Sequence, residues 1–342
     1  MAGLYRTPFA ISLPATFLSI HMNTPSTAGP AGSIVVAGGA NMDVLGRSDS
    51  PFVDGDSMPG EVQVSRGGVA RNVAENLAKL FQVEHGAPSV SLISAVGHDD
   101  AGRRLLQQTA AAGVNVDAVT RFPDQRTASY VALSGPDGAL CLAVNDMQVM
   151  DALTPARLEP HRALLETAEV LVIDCNLTKA ALACLVQAAP RARVFADAVS
   201  AVKCTRLQPV LRKLHTLKLN RLEAQILTGR RVETPDDADA ATSHLQDTGV
   251  QNVVVSLGER GVCWRGQSGE AGRCAARQLA VVNTNGAGDA LLAGLVYGHL
   301  QGMPLAQAVA WGVACADLTL LSSHANAEDL SVGSVKAWLL GT

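Results

Sequence analysis

From about residue 170 to the C-terminus, short β-branched runs alternate with helix-forming stretches. VLVIDCN, RVFADAV, TLKLN and NVVVSLG have strand length, and KAALACLVQAA, TRLQPVLRKL, DDADAATSHLQDTG and a long helical end from Gly288 fall between and after them. Parallel neighbours need a crossover, which such helices supply, so the alternation predicts a parallel sheet with helices on both faces. Hydrophobic residues make up 48% of the 342 and charged ones 17%, enough to bury one large core with a small appendage.

The first half of the chain supplies the remaining elements. SIVVAGGANMDVLG, from Ser33, reads as a buried strand running into a glycine turn, and a folded domain is expected over 33–342. The stretch 50–64 is rich in Pro, Gly and Asp and reads as a strand-and-loop excursion. Gly67 and Gly68 then open VARNVAENLAKL, whose apolar positions 69, 73, 77 and 80 recur at helical spacing. SVSLISAVG reads as a strand, DDAGRRLLQQTAAAG as a helix closed by Gly113, and 127–144 as a hairpin turning at Gly-Pro-Asp-Gly. Residues 1–32 read as a flexible extension.

A net charge of −4 offers no basic field for a polyanion, so nucleic acid is not an expected partner. No apolar run reaches the roughly 18 residues of a membrane span, and no membrane partner is expected. The seven cysteines are scattered without C-x-x-C spacing, which fits reduced thiols in a cytoplasm, three or four of them in the core.

The chemistry concentrates at VVNTNGAGDALLAGLVYGHL, 281–300, where Gly286, Ala287 and Gly288 lead directly into a long helix. Such a junction aims several backbone N–H groups and the positive end of a helix at one point, an anion site. Asp289 stands beside that point. A carboxylate there is unfavourable unless it accepts a proton from an attacking hydroxyl, and the competing reading is a helix cap, which local pattern alone favours. In LKLNRLEAQIL, Asn220 and Glu223 lie one helical turn apart and offer oxygens suited to a hydrated magnesium ion, or else cap a helix with a surface Glu. Ser256, Gly258 and Gly261 follow a strand in VVVSLGERGV, a weak signal of a nucleotide loop. Asn41 and Asp43 at a strand end, with Gly67, Gly68 and Asn72 in the glycine turn, suit the paired hydroxyls of a small nucleoside or sugar. Arg71 is read as either a lid or phosphate contact or a solvated surface residue.

NTNGAGDALLAGL, together with GGANMD and GGVARNVAENLAKL, resembles the two signatures of the ribokinase-like (PfkB) superfamily of sugar and nucleoside kinases. The resemblance runs from about Ser33 to the last helix. It implies a doubly wound α/β/α sandwich with a small β-sheet lid, drawn from about 41–65 and 127–144, and transfer of the ATP γ-phosphoryl group to a substrate hydroxyl. It further implies Asp289 as catalytic base, Gly286, Ala287 and Gly288 as anion hole, and Asn41, Asp43, Gly67, Gly68 and Asn72 as acceptor site. Asn220, Ser256, Gly258 and Gly261 match the nucleotide site, and Asn220 and Glu223 the magnesium site. Some members take potassium with an Asp where this chain has Asn283; Asn keeps an oxygen and loses the charge, which weakens the case for that ion. A homodimer through the lid is also implied. GRSDSPFVDGDSMPG, AVNDM and VIDCNL resemble the pseudouridine kinases within the superfamily, implying phosphorylation of a 5′-hydroxyl. Thr127, Tyr130 and Asn145 are the lid and pocket positions expected to bear on acceptor choice. Other nucleosides or ribose, and a catalytically silent nucleoside-binding protein, are the competing readings.

Overall fold

A computed structural model of the chain describes residues 32–82 and 86–341. The extension expected over 1–32 lies outside them but for its last residue. Strand β1, Ser33–Ala37, has Ile34, Val35, Val36 and Ala37 fully buried. Burial of consecutive residues needs cover on both faces, and the side chains divide accordingly: Ile34 and Val36 enter one hydrophobic cluster, Val35 and Ala37 another.

Around β1 the chain lays down β2 (Asn41–Ser48), β3 (Gly60–Gly67), β4 (Ser89–Gly97), β5 (Val119–Phe122), β6 (Ser129–Ser134) and β7 (Leu140–Asp146). There follow β8 (Ala168–Asp174), β9 (Arg193–Asp197), β10 (Thr216–Asn220), β11 (Asn252–Ser256), β12 (Val262–Arg265) and β13 (Ala271–Cys274). The longer helices are α1 (Val69–Phe81), α2 (Asp100–Ala111), α3 (Lys179–Ala188), α4 (Arg221–Thr228), α5 (Pro235–Asp247), α6 (Ala287–Leu300), α7 (Leu305–Leu320) and α8 (Val332–Leu340). A nine-stranded sheet runs β5, β4, β1, β8, β9, β10, β11, β12, β13. It is parallel through β11, and β12 and β13 add antiparallel at one edge. Helices α1, α2, α6 and α7 pack on one face and α3, α4 and α5 on the other, the doubly wound arrangement that the alternation predicts. A second sheet of four strands, in the order β3, β2, β6, β7, stands apart from it.

Strand order reverses at β1, because the chain passes first to β4 on one side and later to β8 on the other. In open α/β sheets such a switch opens a crevice at the carboxyl ends of the strands. Here β8, β9, β10 and β11 end on Asp174, Asp197, Asn220 and Ser256, a polar rim on strands that are otherwise mostly apolar.

Two helix expectations differ from the structure. TRLQPVLRKL forms two 3₁₀ turns, Cys204–Leu207 and Leu211–Lys213, on either side of Pro209, which has no N–H to continue a helix. The long helical end is three helices: Gly302, at φ 68°, and Pro304 separate α6 from α7, and α8 restarts under a Ser331 cap. Among the described residues no helix is long and apolar enough to cross a membrane.

Candidate active site

Gly286 sits at φ 81° as the cap of α6, and a Cβ on it would lie 1.9 Å from the carbonyl oxygen of Ala325. Only glycine fits there on both counts. The next two residues enter the first turn of α6, where N–H groups lack intrahelical acceptors. A Cβ on Gly288 would lie 2.6 Å from Nζ of Lys218, so this lysine of β10 lies directly against the turn. Lys218 is buried and pairs with Asp197 of β9 at 2.8 Å. Burial alone would lower the Lys218 ammonium; Asp197, Glu223 and Asp289 outweigh it and hold it well above the lysine range.

Asp289 follows in the same turn, 8% exposed. Its Oδ2 accepts a hydrogen bond of 2.6 Å from Nδ2 of Asn72 in α1, while Oδ1 has no hydrogen-bond partner among the described residues. Burial, with repulsion from Asp197, pushes its carboxyl up to about 7, against the pull of Lys218, Asn72 and Arg71. The side chain therefore does not act as a cap for α6, which has none from a side chain. A carboxyl poised near neutrality at an anion-binding turn is suited to taking a proton.

The glycine turn is tied down from beneath. Asp174, fully buried at the end of β8, accepts from the N–H groups of Gly39 (2.8 Å), Ala70 (3.0 Å) and Asn176 (2.7 Å). Gly68, at φ 102°, passes so close to Gly39 that a Cβ would lie 2.4 Å from its carbonyl oxygen. Gly67 packs on the carboxylate of Asp43, which accepts from Nδ2 of Asn41 at 2.6 Å. Asn41, Asp43, Gly67, Gly68 and Asn72 are thus one connected group. Oδ1 of Asn72 is buried without a partner, an acceptor left open beside Asp289. Arg71 is fully buried and donates to Glu75 (2.6 Å), Asn326 (2.7 Å) and the carbonyls of Gly67 and Arg66. Neither surface residue nor phosphate contact, it braces the turn.

Asn220 and Glu223 form a reciprocal cap: Oδ1 of Asn220 accepts the Glu223 N–H at 3.0 Å, and Oε2 of Glu223 accepts the Asn220 N–H at 2.7 Å. The Glu is not on the surface, however. At 1% exposure, burial and Asp197 push it up to about 7, although Lys218 opposes them. Ser256, Gly258 and Gly261 line a cavity of about 810 Å³ together with Thr284, Ala287 and Gly288. Between the small sheet and residues 281–285 lies a second cavity, about 700 Å³, lined by Arg47, Gln63, Tyr130 and Asn283 among others. Tyr130 and Asn145 are register partners in the small sheet. Thr127 is instead locked to Asp99 and Gly97, which commits it to the start of α2.

A family model described as "pfkB family carbohydrate kinase" matches residues 31–331. The chain belongs to the pfkB family of carbohydrate kinases. The kinase is 38% identical over 302 residues to the pseudouridine kinase of Escherichia coli K12, covering 88% of this chain and 95% of that one. It is 37% identical over 297 residues to the uncharacterized sugar kinase YeiI of the same organism, covering 87% and 80%. Its fold matches the ribokinase of Arabidopsis thaliana solved with ribose and ATP at a TM-score of 0.79 and 21% identity, over 90% and 99% of the two chains. Membership makes this a sugar or nucleoside kinase that uses ATP and a divalent metal.

The donor set fits both. Asn220 and Glu223 offer the few oxygen ligands that magnesium needs, since that ion keeps several waters and binds mainly to substrate phosphates. Four functional neighbours escape a reading of motifs: Asp174, Asp197, Lys218 and Asn326. Lys218 carries the one available signal, a charge inside the apolar strand TLKLN.

Proposed function

We propose that this kinase transfers the γ-phosphoryl group of ATP to the 5′-hydroxyl of pseudouridine, giving pseudouridine 5′-phosphate and ADP. The observation that carries the chemistry is Asp289, held through one oxygen by Asn72 and open at the other, at the mouth of the Gly286–Gly288 turn. In this reading Oδ1 of Asp289 takes the proton of the attacking hydroxyl, while the N–H groups of Ala287 and Gly288 and the end of α6 stabilise charge on the transferring group. Asn41, Asp43, the glycine turn and the open Oδ1 of Asn72 hold the acceptor's hydroxyls. The 810 Å³ cavity takes the nucleotide along Ser256, Gly258 and Gly261. Asn220 and Glu223 would hold magnesium through water; the ion neutralises phosphate charge when bound.

The choice of pseudouridine is supported by the 38% relative, and YeiI at 37% is the reason to test it. ATP consumption should be measured across pseudouridine, uridine, cytidine, adenosine, inosine and ribose, with the product identified by mass. Preference for pseudouridine supports the assignment; another preferred acceptor leaves the chemistry and replaces the substrate. Potassium should matter little, since Oδ1 of Asn283 already accepts the Asn285 N–H at 2.9 Å, and a potassium titration measures it. All seven cysteines are unpaired, which supports a reducing cytoplasm.

The small sheet is proposed to act as a lid and as the interface of a homodimer. Its two faces alternate as strands require. Asp43, Arg47, Gln63 and Tyr130 lie on the face that includes the 700 Å³ cavity. Val62, Val64, Leu142 and Val144 lie on the other and are 55–68% exposed. Register places Val64, Val44, Val131 and Val144 in one row across all four strands. A contiguous apolar face of this kind is self-complementary in chemistry and suits a second copy of the chain.

A further inference from the structure

One carboxylate in the nucleotide cavity has no part in the chemistry so far described. Asp317 lies on the face of α7 that lines this cavity with Val313, Ala316 and Leu320. The loop that leads to the anion turn is anchored on Leu320, whose carbonyl accepts the Val282 N–H at 2.8 Å. Asp317 is three residues back along the helix, about 4.5 Å of axial rise away from that anchor. The same cavity is lined by Leu279, Leu291, Val313 and Ala316, apolar side chains suited to the faces of a flat ring.

The residue is 5% exposed, and its two oxygens are not equivalent. Oδ2 accepts the indole N–H of Trp338 at 3.0 Å and lies 3.9 Å from Nε of Arg277. That guanidinium is itself fixed, donating to the Trp338 carbonyl at 2.9 Å and lying 5.1 Å from the indole ring. Oδ1 has no hydrogen-bond partner among the described residues. An acceptor on a nearly buried side chain that lines a cavity is placed to take a donor from a ligand.

We propose that Asp317 reads the base of the phosphoryl donor, Oδ1 accepting a hydrogen bond from the exocyclic 6-amino group of adenine and excluding guanine. The inference rests on the nucleotide reading of this cavity. Guanine places an acceptor oxygen where adenine places its amine, and that oxygen would face the carboxylate. The other edge of guanine offers two N–H groups that need two acceptors side by side, and Trp338 already occupies Oδ2.

In Asp317→Asn the Trp338 N–H and Arg277 both face the same position, so the amide oxygen belongs there and Nδ2 turns to the cavity. A donor would then stand where an acceptor stood, opposing the adenine amine and matching the guanine oxygen. The test is kcat/KM for ATP, GTP, 2′-deoxy-ATP and purine riboside triphosphate, which lacks the 6-amino group, in the parent and in Asp317→Asn. The parent should favour ATP over both GTP and purine riboside triphosphate by about tenfold or more, and Asp317→Asn should reverse or abolish the ATP-to-GTP preference. A merely structural role would lower all four nucleotides together and leave the ratio unchanged. Equal use of ATP, GTP and purine riboside triphosphate by the parent overturns the inference without touching the kinase reading, and needs no variant to fold. Dependence on the 2′-hydroxyl alone would move Asp317 to the ribose and also overturn it. Absence of transfer from every nucleotide would remove the nucleotide reading of the cavity itself.

Discussion

Asn72 donates from Nδ2 to Oδ2 of Asp289 at 2.6 Å, joining the first turn of α1 to the first turn of α6 across 217 residues of chain. The bond fixes one carboxylate oxygen of the proposed base through a neutral donor that does not neutralise it. It also places the unpartnered Oδ1 of Asn72 beside Asp289. In the proposed mechanism, acceptor binding and base orientation thus depend on one amide.

Asp289→Asn should lower turnover by roughly 10²-fold or more, since the amide cannot take the proton. The same change should raise stability above neutral pH. Asp289 titrates near 7 in the folded protein, above the usual carboxylate range, so its protonation favours the fold at low pH and that contribution is lost as pH rises through 7. Asn carries no such loss, and melting at pH 8 should move up by roughly 2–4 °C. Unaltered turnover would remove Asp289 from the mechanism.

The pH dependence of kcat/KM should rise through an apparent pKa near 7 as Asp289 loses its proton. Because Asn72 pulls that value down, Asn72→Ala should shift the rising limb to higher pH in addition to raising KM for the acceptor. A limb that stays in place in the variant would assign the titration to another group, and Glu223, also near 7, is the first alternative.

Glu223→Gln keeps an oxygen for the Asn220 N–H but loses Oε1, which accepts from Nδ2 of Asn220 at 2.6 Å, so the cap of α4 is kept through one bond instead of two. The magnesium concentration for half-maximal rate should nevertheless rise by roughly tenfold, the scale of losing an outer-sphere carboxylate. An unchanged magnesium titration would reduce Glu223 to its capping role.

Val64→Asp combined with Leu142→Lys puts charge on the outer face of the small sheet, at positions 55% and 60% exposed. Light scattering should find the parent at twice the chain mass and the double variant at one. A parent that is monomeric at micromolar concentration would discard the interface.

Much of the site was legible in the sequence because its parts are local. Gly286, Ala287, Gly288 and Asp289 are consecutive, and a glycine turn opening a helix is an anion site wherever it occurs. Asn220 and Glu223 are one turn apart, and both the metal reading and the cap reading rest on that spacing; burial, which spacing cannot report, is what makes the Glu more than a cap. The sequence leaves Arg71 open between a lid or phosphate contact and a surface residue, because its partner Asn326 lies 255 positions away and only the fold brings it near.

The chain by itself determined most of the strands and helices, where the glycine turns fall, and that a carboxylate stands in the first turn of α6. Periodicity, β-branching and backbone freedom act over a few residues, and a linear pattern records them. Tertiary structure alone decided that Lys218, paired with Asp197, lies against Gly288, that Asp174 braces two glycine turns, and that Asp317 lines the 810 Å³ cavity. Those relationships depend on strand order and on the desolvation of charges brought together from distant positions, quantities that no short stretch of sequence contains.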